Sequence, residues 1–231
     1  MRPVDDQAFR DAMRVLERRH RVTDWAAGMT SFEILVSTIL SQSTTVRNER
    51  LGMDGLRAAF GDLTPETLAT ASPRAIERAI WHAGLARRKS RHIRDVARIV
   101  SRDLGGDLDR VLRRPAGESR EVLLALPGVG PKTADVMLAM AANRPVFPVD
   151  THVARVARRW GLVRRADYEE TREALEKRTS PSRRKAWHLA MIAHGRETCT
   201  TRNPRCGACP VSTECDWYRA RNRRRRDKPL R

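Results

Sequence analysis

Aromatic residues are scarce in this chain: five Trp, two Tyr and four Phe among 231 residues. Its cores must therefore be built mostly from Leu, Ile, Val, Ala and Met. Acidic residues are in deficit too. Against 46 Lys and Arg stand 28 Asp and Glu, a formal net charge of +18. A balance this basic argues against a neutral metabolic enzyme and for a polyanionic partner, either nucleic acid or an anionic membrane surface. Long apolar runs are missing as well. The most apolar stretch, Phe32 to Leu40, falls far short of the roughly 20 residues that span a bilayer, so the membrane reading fails. Met1 to Arg10 carries Asp5 and Asp6 and lacks the apolar segment of a signal peptide, so a reducing cytoplasm is expected. Cysteines number only four, and in that compartment they are metal-ligand candidates rather than disulfides.

What is present is charge, unevenly spread, and helix signals. Trp217 to Arg231 holds eight basic residues and one acidic, which reads as a solvated or disordered arm. Ala8, Phe9, Ala12, Met13 and Leu16 form one helical face. Phe32 to Leu40 lacks strand alternation and reads as a buried central helix. Thr64-Pro65 and Ser72-Pro73 each set an N-cap before a proline at the first helical position, and the second of these helices should end near Gly84. Further helices are expected over Arg88–Leu104, Ser119–Ala125, Pro131–Asn143, Thr151–Trp160, Glu169–Lys177 and Ser182–His194, with Gly195 as a C-terminal stop. No strand is legible, so the fold class is all-α, with about ten helices.

Leu126-Pro127-Gly128-Val129-Gly130-Pro131-Lys132 reads as a helix end, a glycine-bearing turn and a second helix start. Such a turn lets backbone approach a ligand, and its N–H groups with the following helix N-terminus can hold a phosphate. An ordinary helix–helix turn is the competing reading, and the basic composition favours phosphate. Lys132 sits in the first turn, where the helix dipole opposes a cation; a broken local rule often marks function. A lysine at its reference value of about 10.4 is neutral in only roughly one molecule per thousand near pH 7, so a nucleophilic Lys132 needs help. Asp150, in Val149-Asp150-Thr151-His152, is the candidate helper. A helix from Pro131 to Ala142 is about 18 Å long and residues 143–149 can span about 23 Å, enough for the chain to return. On this local sequence alone the N-cap of the next helix is the favoured reading of Asp150, and the two roles are compatible.

Cys199, Cys206, Cys209 and Cys215 fall within 17 residues, spaced C-x6-C-x2-C-x5-C. Four thiolates in one loop can hold a [4Fe-4S] cluster. Structural zinc is the rival, although zinc modules usually present two C-x2-C pairs.

On Leu-Pro-Gly-Val-Gly-Pro-Lys at 126–132, Val-Asp-Thr-His at 149–152, His-Gly-Arg at 194–196 and the four cysteines, the chain resembles endonuclease III, the iron–sulfur member of the helix-hairpin-helix DNA glycosylases. The resemblance runs from about residue 5 to 218. It implies a two-lobed helical fold: a six-helix barrel over 28–147 containing the hairpin (119–142), and a lobe of 1–27 and 148–218 bearing the [4Fe-4S] loop (199–215), followed by a basic tail (219–231). DNA would lie between the lobes. It further implies a monomeric bifunctional glycosylase and abasic-site lyase in the bacterial cytoplasm, associated with the nucleoid. The enzyme would act on double-stranded DNA with damaged pyrimidines or abasic sites, and would have no membrane partner. Lys132 would be the nucleophile and Asp150 its helper. Gln42 would fill the gap left by the flipped base and Leu85 would be the wedge. Gly128, Val129, Gly130 and His152 would contact DNA. The family often has an acidic residue where this chain has Thr45, which leaves substrate range open. The alternatives are a mismatch-specific glycosylase of the same family and a DNA-binding or redox-sensing protein.

Overall fold

The computed structural model describes residues 4–21 and 23–226, and among these there are thirteen α-helices and no strand. In chain order, α1 is Asp6–His20, α2 Ser31–Leu40, α3 Val46–Phe60, α4 Pro65–Thr70, α5 Pro73–Ala79 and α6 Ala86–Asp103. Then come α7 Leu108–Leu112, α8 Ala116–Leu124, α9 Pro131–Val136, α10 Thr151–Arg159, α11 Tyr168–Arg178, α12 Arg184–Glu197 and α13 Asp216–Arg226. No helix among the described residues is long and apolar enough to cross a membrane.

The chain divides into two compact units, one of residues 25–144 and one of residues 1–24 with 145–231. In the 25–144 unit, α2 is the central element. Thr30 and Glu33 start it with a reciprocal capping box, and nearly every one of its side chains is buried. It packs on α3, α6, α7 and α9, and Leu56, Leu68, Ile76, Ile93 and Val100 are buried in the same unit. Thr64 and Ser72 cap α4 and α5 ahead of Pro65 and Pro73, as local cap chemistry dictates. After α9 the helix widens into a π turn over Met137–Ala141, where Ala142 N–H bonds Met137 O.

In the other unit, α12 packs on α1 and α10. Phe9 meets Trp160 and Trp187 edge-on, at ring separations of 6.1 and 5.8 Å. Edge-on pairs of this kind exploit the ring quadrupoles. The Trp187 indole N–H donates to Glu17 Oε2 at 3.0 Å, which keeps a buried donor satisfied.

Three expectations change. Gly195 lies inside α12 rather than ending it. A Cβ there would stand 2.7 Å from His152 Cβ, so the glycine is needed for close helix approach, not for a turn. Second, α8 begins at Ala116, three residues before the expected start. Third, the basic tail, expected to be a solvated or disordered arm, forms α13 as far as Arg226. There Arg221 lies over the Trp217 ring at 5.3 Å within the helix, and Arg159 of α10 at 4.9 Å, the second a cation–π contact that draws the helix onto its unit. The rest of the tail lies outside the described residues.

Candidate nucleic-acid interface and thiol cavity

The hairpin is α8, a turn, and α9. Gly128 takes φ +77°, whereas Gly130 is extended, so only the first glycine supplies a left-handed residue. Gly128 also lies tight against α6: a Cβ on it would fall 2.3 Å from His92 Nδ1. Arg120 of α8 donates through Nε to Asp135 of α9 at 2.8 Å, and Asp135 is buried. This pair ties the two arms of the hairpin together. Lys132 is half-buried on the first turn of α9, whose N-terminus has no side-chain cap.

Gln42 follows α2 and donates through Nε2 to the Gly128 carbonyl at 2.9 Å. The structure therefore brings Gln42 to the hairpin turn. Leu85 is 48% exposed at φ +52°. Viewed only as an apolar residue next to Gly84, it would be expected in the core; instead it stands out from the N-terminus of α6 in a conformation that costs a non-glycine residue about 1–2 kcal/mol. Trp81, on the preceding 3₁₀ turn, is also exposed. Thr45 is the N-cap of α3, accepting from Asn48 N–H. An aspartate at this position would cap equally well, so the threonine preserves the helix start while removing a carboxylate.

In the other unit, Asp150 caps α10, its Oδ1 accepting from His152 N at 2.9 Å and Val153 N at 2.8 Å. His152 is half-buried, and Arg155 donates to its Nδ1 at 3.0 Å and to Gly195 O at 2.8 Å. Burial pulls the His152 imidazole below its ordinary range; Arg155 and Arg196 act the same way, against Asp150.

All four cysteines are free thiols, and they line one small cavity of about 20 Å³ with Trp160, His194 and Trp217. Among the described residues, no group of three or more His, Cys, Asp or Glu side chains is placed to hold one metal ion. Arg159 donates to Cys199 Sγ at 3.2 Å, and the His194 ring nitrogen lies 3.7 Å from Cys209 Sγ. Burial, then the neighbouring thiols, push Cys215 up to about 11, and burial also raises Cys206 and Cys209. Deprotonating this set calls for compensating positive charge within the cavity.

Sequence reasoning missed four groups: His92 behind the turn, the Arg120–Asp135 pair, Arg155, and Lys89. For Lys89 a signal existed. It occupies the apolar face of α6 with Ile93, Val96 and Val100, all buried, and a lysine at such a position is unexpected.

Residues 36–181 match the family profile described as HhH-GPD superfamily base excision DNA repair protein. Endonuclease III of Thermotoga maritima is 34% identical over 94% of this chain and 95% of its own. Endonuclease III of Sulfolobus acidocaldarius is 32% identical over 88% and 90%. Among solved structures, a trapped endonuclease III–DNA covalent intermediate, an estranged-adenine complex, superposes with a TM-score of 0.83 at 27% identity, covering 94% of this chain and 99% of that one. Matched in this way over most of its length, the chain belongs to the HhH-GPD superfamily of base excision DNA repair proteins, in its endonuclease III branch.

Proposed function

We propose that this protein is a base-excision-repair DNA glycosylase and abasic-site lyase that removes oxidised pyrimidines from duplex DNA. The observation that carries the reading is Lys132 on the first turn of α9, directly after the Gly128 turn. The trapped endonuclease III–DNA intermediate supports a covalent route for a chain of this branch. The lesion is flipped from the stack, at a cost of a few kcal/mol that is least for damaged bases. Gln42 fills the gap and Leu85 wedges the strand, while Gly128, Val129 and Gly130 hold backbone phosphate and His152 contacts DNA. Lys132, as a neutral amine, attacks C1′ and the glycosidic electron pair leaves with the base. Asp150 accepts the proton from Lys132 and stabilises positive charge on the sugar. The sugar ring opens to a Schiff base, loss of a 2′ proton expels the 3′ phosphate, and hydrolysis frees the enzyme.

Cys199, Cys206, Cys209 and Cys215 would hold a [4Fe-4S] cluster, whose cationic core supplies the charge that four thiolates require. The spacing C-x6-C-x2-C-x5-C, with one C-x2-C pair where zinc modules usually present two, supports a cluster over a single zinc. The cluster serves structure here and takes no part in the bond chemistry. The enzyme acts as a monomer.

A duplex carrying one thymine glycol tests the reading. Expected is release of the free base together with a break 3′ to the site. Processing of G·T or A·G mismatches without release of any oxidised pyrimidine would give the mismatch reading instead. Binding without release would give a non-catalytic protein.

A further inference from the structure

Lys89 is the one lysine fully enclosed in the 25–144 unit among the described residues, 1% exposed. Its ammonium donates to the Leu40 carbonyl at 2.7 Å and to the Ala83 carbonyl at 2.8 Å. Leu40 is the last residue of α2, so the first bond satisfies a carbonyl left without an intrahelical partner and places a cation at the negative end of the helix. Ala83 ends the 3₁₀ turn before Gly84. The two carbonyls lie two residues before Gln42 and two residues before Leu85.

Each following segment holds a strained residue. Ser43 and Leu85 both take φ +52°, a conformation that persists in non-glycine residues only where the surroundings over-determine it. The Lys89 backbone N–H also bonds Leu85 O at 3.0 Å. One residue thus fixes both ends of the Leu85 turn and the exit of α2. A methionine of similar length would fill the same space, so the ammonium is not needed for packing alone. Its two bonds join segments otherwise separated by more than forty residues of chain.

We propose that Lys89 is a positioning residue whose ammonium clamps the two insertion segments, holding Gln42 and Leu85 in fixed register so that both enter the duplex together. The proposal rests on the reading of Gln42 and Leu85 as insertion residues given above. Lys89 touches neither DNA nor the reacting atoms; it acts through the two loops.

The test compares Lys89→Met, Lys89→Gln, Gln42→Ala and Leu85→Ala in the full-length protein. Two readouts are taken: the ratio of strand cleavage on an abasic duplex to that on an abasic single strand, and the brightening of 2-aminopurine placed opposite the lesion on binding. Lys89→Met is expected to lower the duplex-to-single-strand ratio by about tenfold or more, the scale at which small misplacements act, and to abolish the brightening. Lys89→Gln, which retains N–H donors, should fall between it and the wild type. Gln42→Ala and Leu85→Ala should lower the same ratio. If those two leave the ratio at the wild-type value, the insertion reading fails and the clamp fails with it. If they lower it while both Lys89 variants keep the wild-type ratio and brightening, the clamp alone is overturned. Equal loss on duplex and single strand, or failure of both Lys89 variants to fold, assigns Lys89 to the core and also overturns it.

Discussion

Replacing Gly128 by alanine perturbs the hairpin at the point where backbone conformation and packing coincide. The residue sits at φ +77°, where a side chain costs about 1–2 kcal/mol. The new Cβ would stand 2.3 Å from His92 Nδ1 and 2.7 Å from His92 Cγ, so the ring or the turn must move. Overpacking of this kind costs typically ~1–3 kcal/mol, giving a total of about 2–5 kcal/mol. The two contributions separate in a double-mutant cycle with His92→Ala. In the His92→Ala background the ring contacts are gone and only the 3.1 Å contact to the Cβ of residue 92 remains, so Gly128→Ala should cost little more than its backbone share, about 1–2 kcal/mol. Urea unfolding followed by far-UV circular dichroism supplies the four free energies. Because Gln42 bonds the Gly128 carbonyl, the single variant should also lose duplex cleavage, with partial recovery in the double variant. A Gly128→Ala protein within about 0.5 kcal/mol of wild type, the range of ordinary surface substitutions, would refute the argument. So would an unchanged cost in the His92→Ala background.

Asp150→Ala should lose the α10 cap and about 1 kcal/mol of stability, whereas Asp150→Asn keeps an acceptor for His152 and Val153 N–H and should melt near wild type. Both should lose base excision, as single-turnover assays would show; an active Asp150→Asn enzyme would reduce Asp150 to a cap. Burial, aided by Arg88, lowers Lys89 to about 8. The unfolded chain keeps that proton to about 10.5, so between the two values the unfolded state binds more protons and stability rises with pH. Wild-type unfolding free energy should therefore gain on that of Lys89→Met between pH 8 and pH 10, and a constant difference would contradict this. Changing Arg219 and Arg221 together to glutamine should flatten the log–log salt dependence of DNA binding by at most about 1.8, at roughly 0.9 per phosphate contact. An unchanged slope would place these charges away from DNA.

Much of this architecture was legible because its chemistry is local. Thr64-Pro65, Ser72-Pro73 and Asp150 act within three residues, and the caps form where they were read. The apolar face of α1 was legible from its spacing. Helix α3 was not, since its buried side consists of only Gly52, Met53 and Leu56 among charged neighbours. Helix α13 was hidden by its arginines, because the contact of Arg159 with Trp217 comes from a distant part of the chain. The place of Gly195 depends on His152, more than forty residues earlier, and no local rule carries that distance. At the candidate site, Lys132, Asp150 and the cysteines were visible as motifs. The groups that orient the loops, Lys89, His92 and the Arg120–Asp135 pair, are long-range contacts and were not.

In the proposed reaction Lys132 forms the covalent bond to the sugar. Borohydride reduction of the protein mixed with an abasic-site duplex, followed by proteolysis and mass spectrometry, tests it most directly. A stable protein–DNA adduct is expected on the peptide containing Lys132, and none with Lys132→Ala. An adduct mapped to another residue and retained in Lys132→Ala, or no adduct from the wild-type protein, would contradict it.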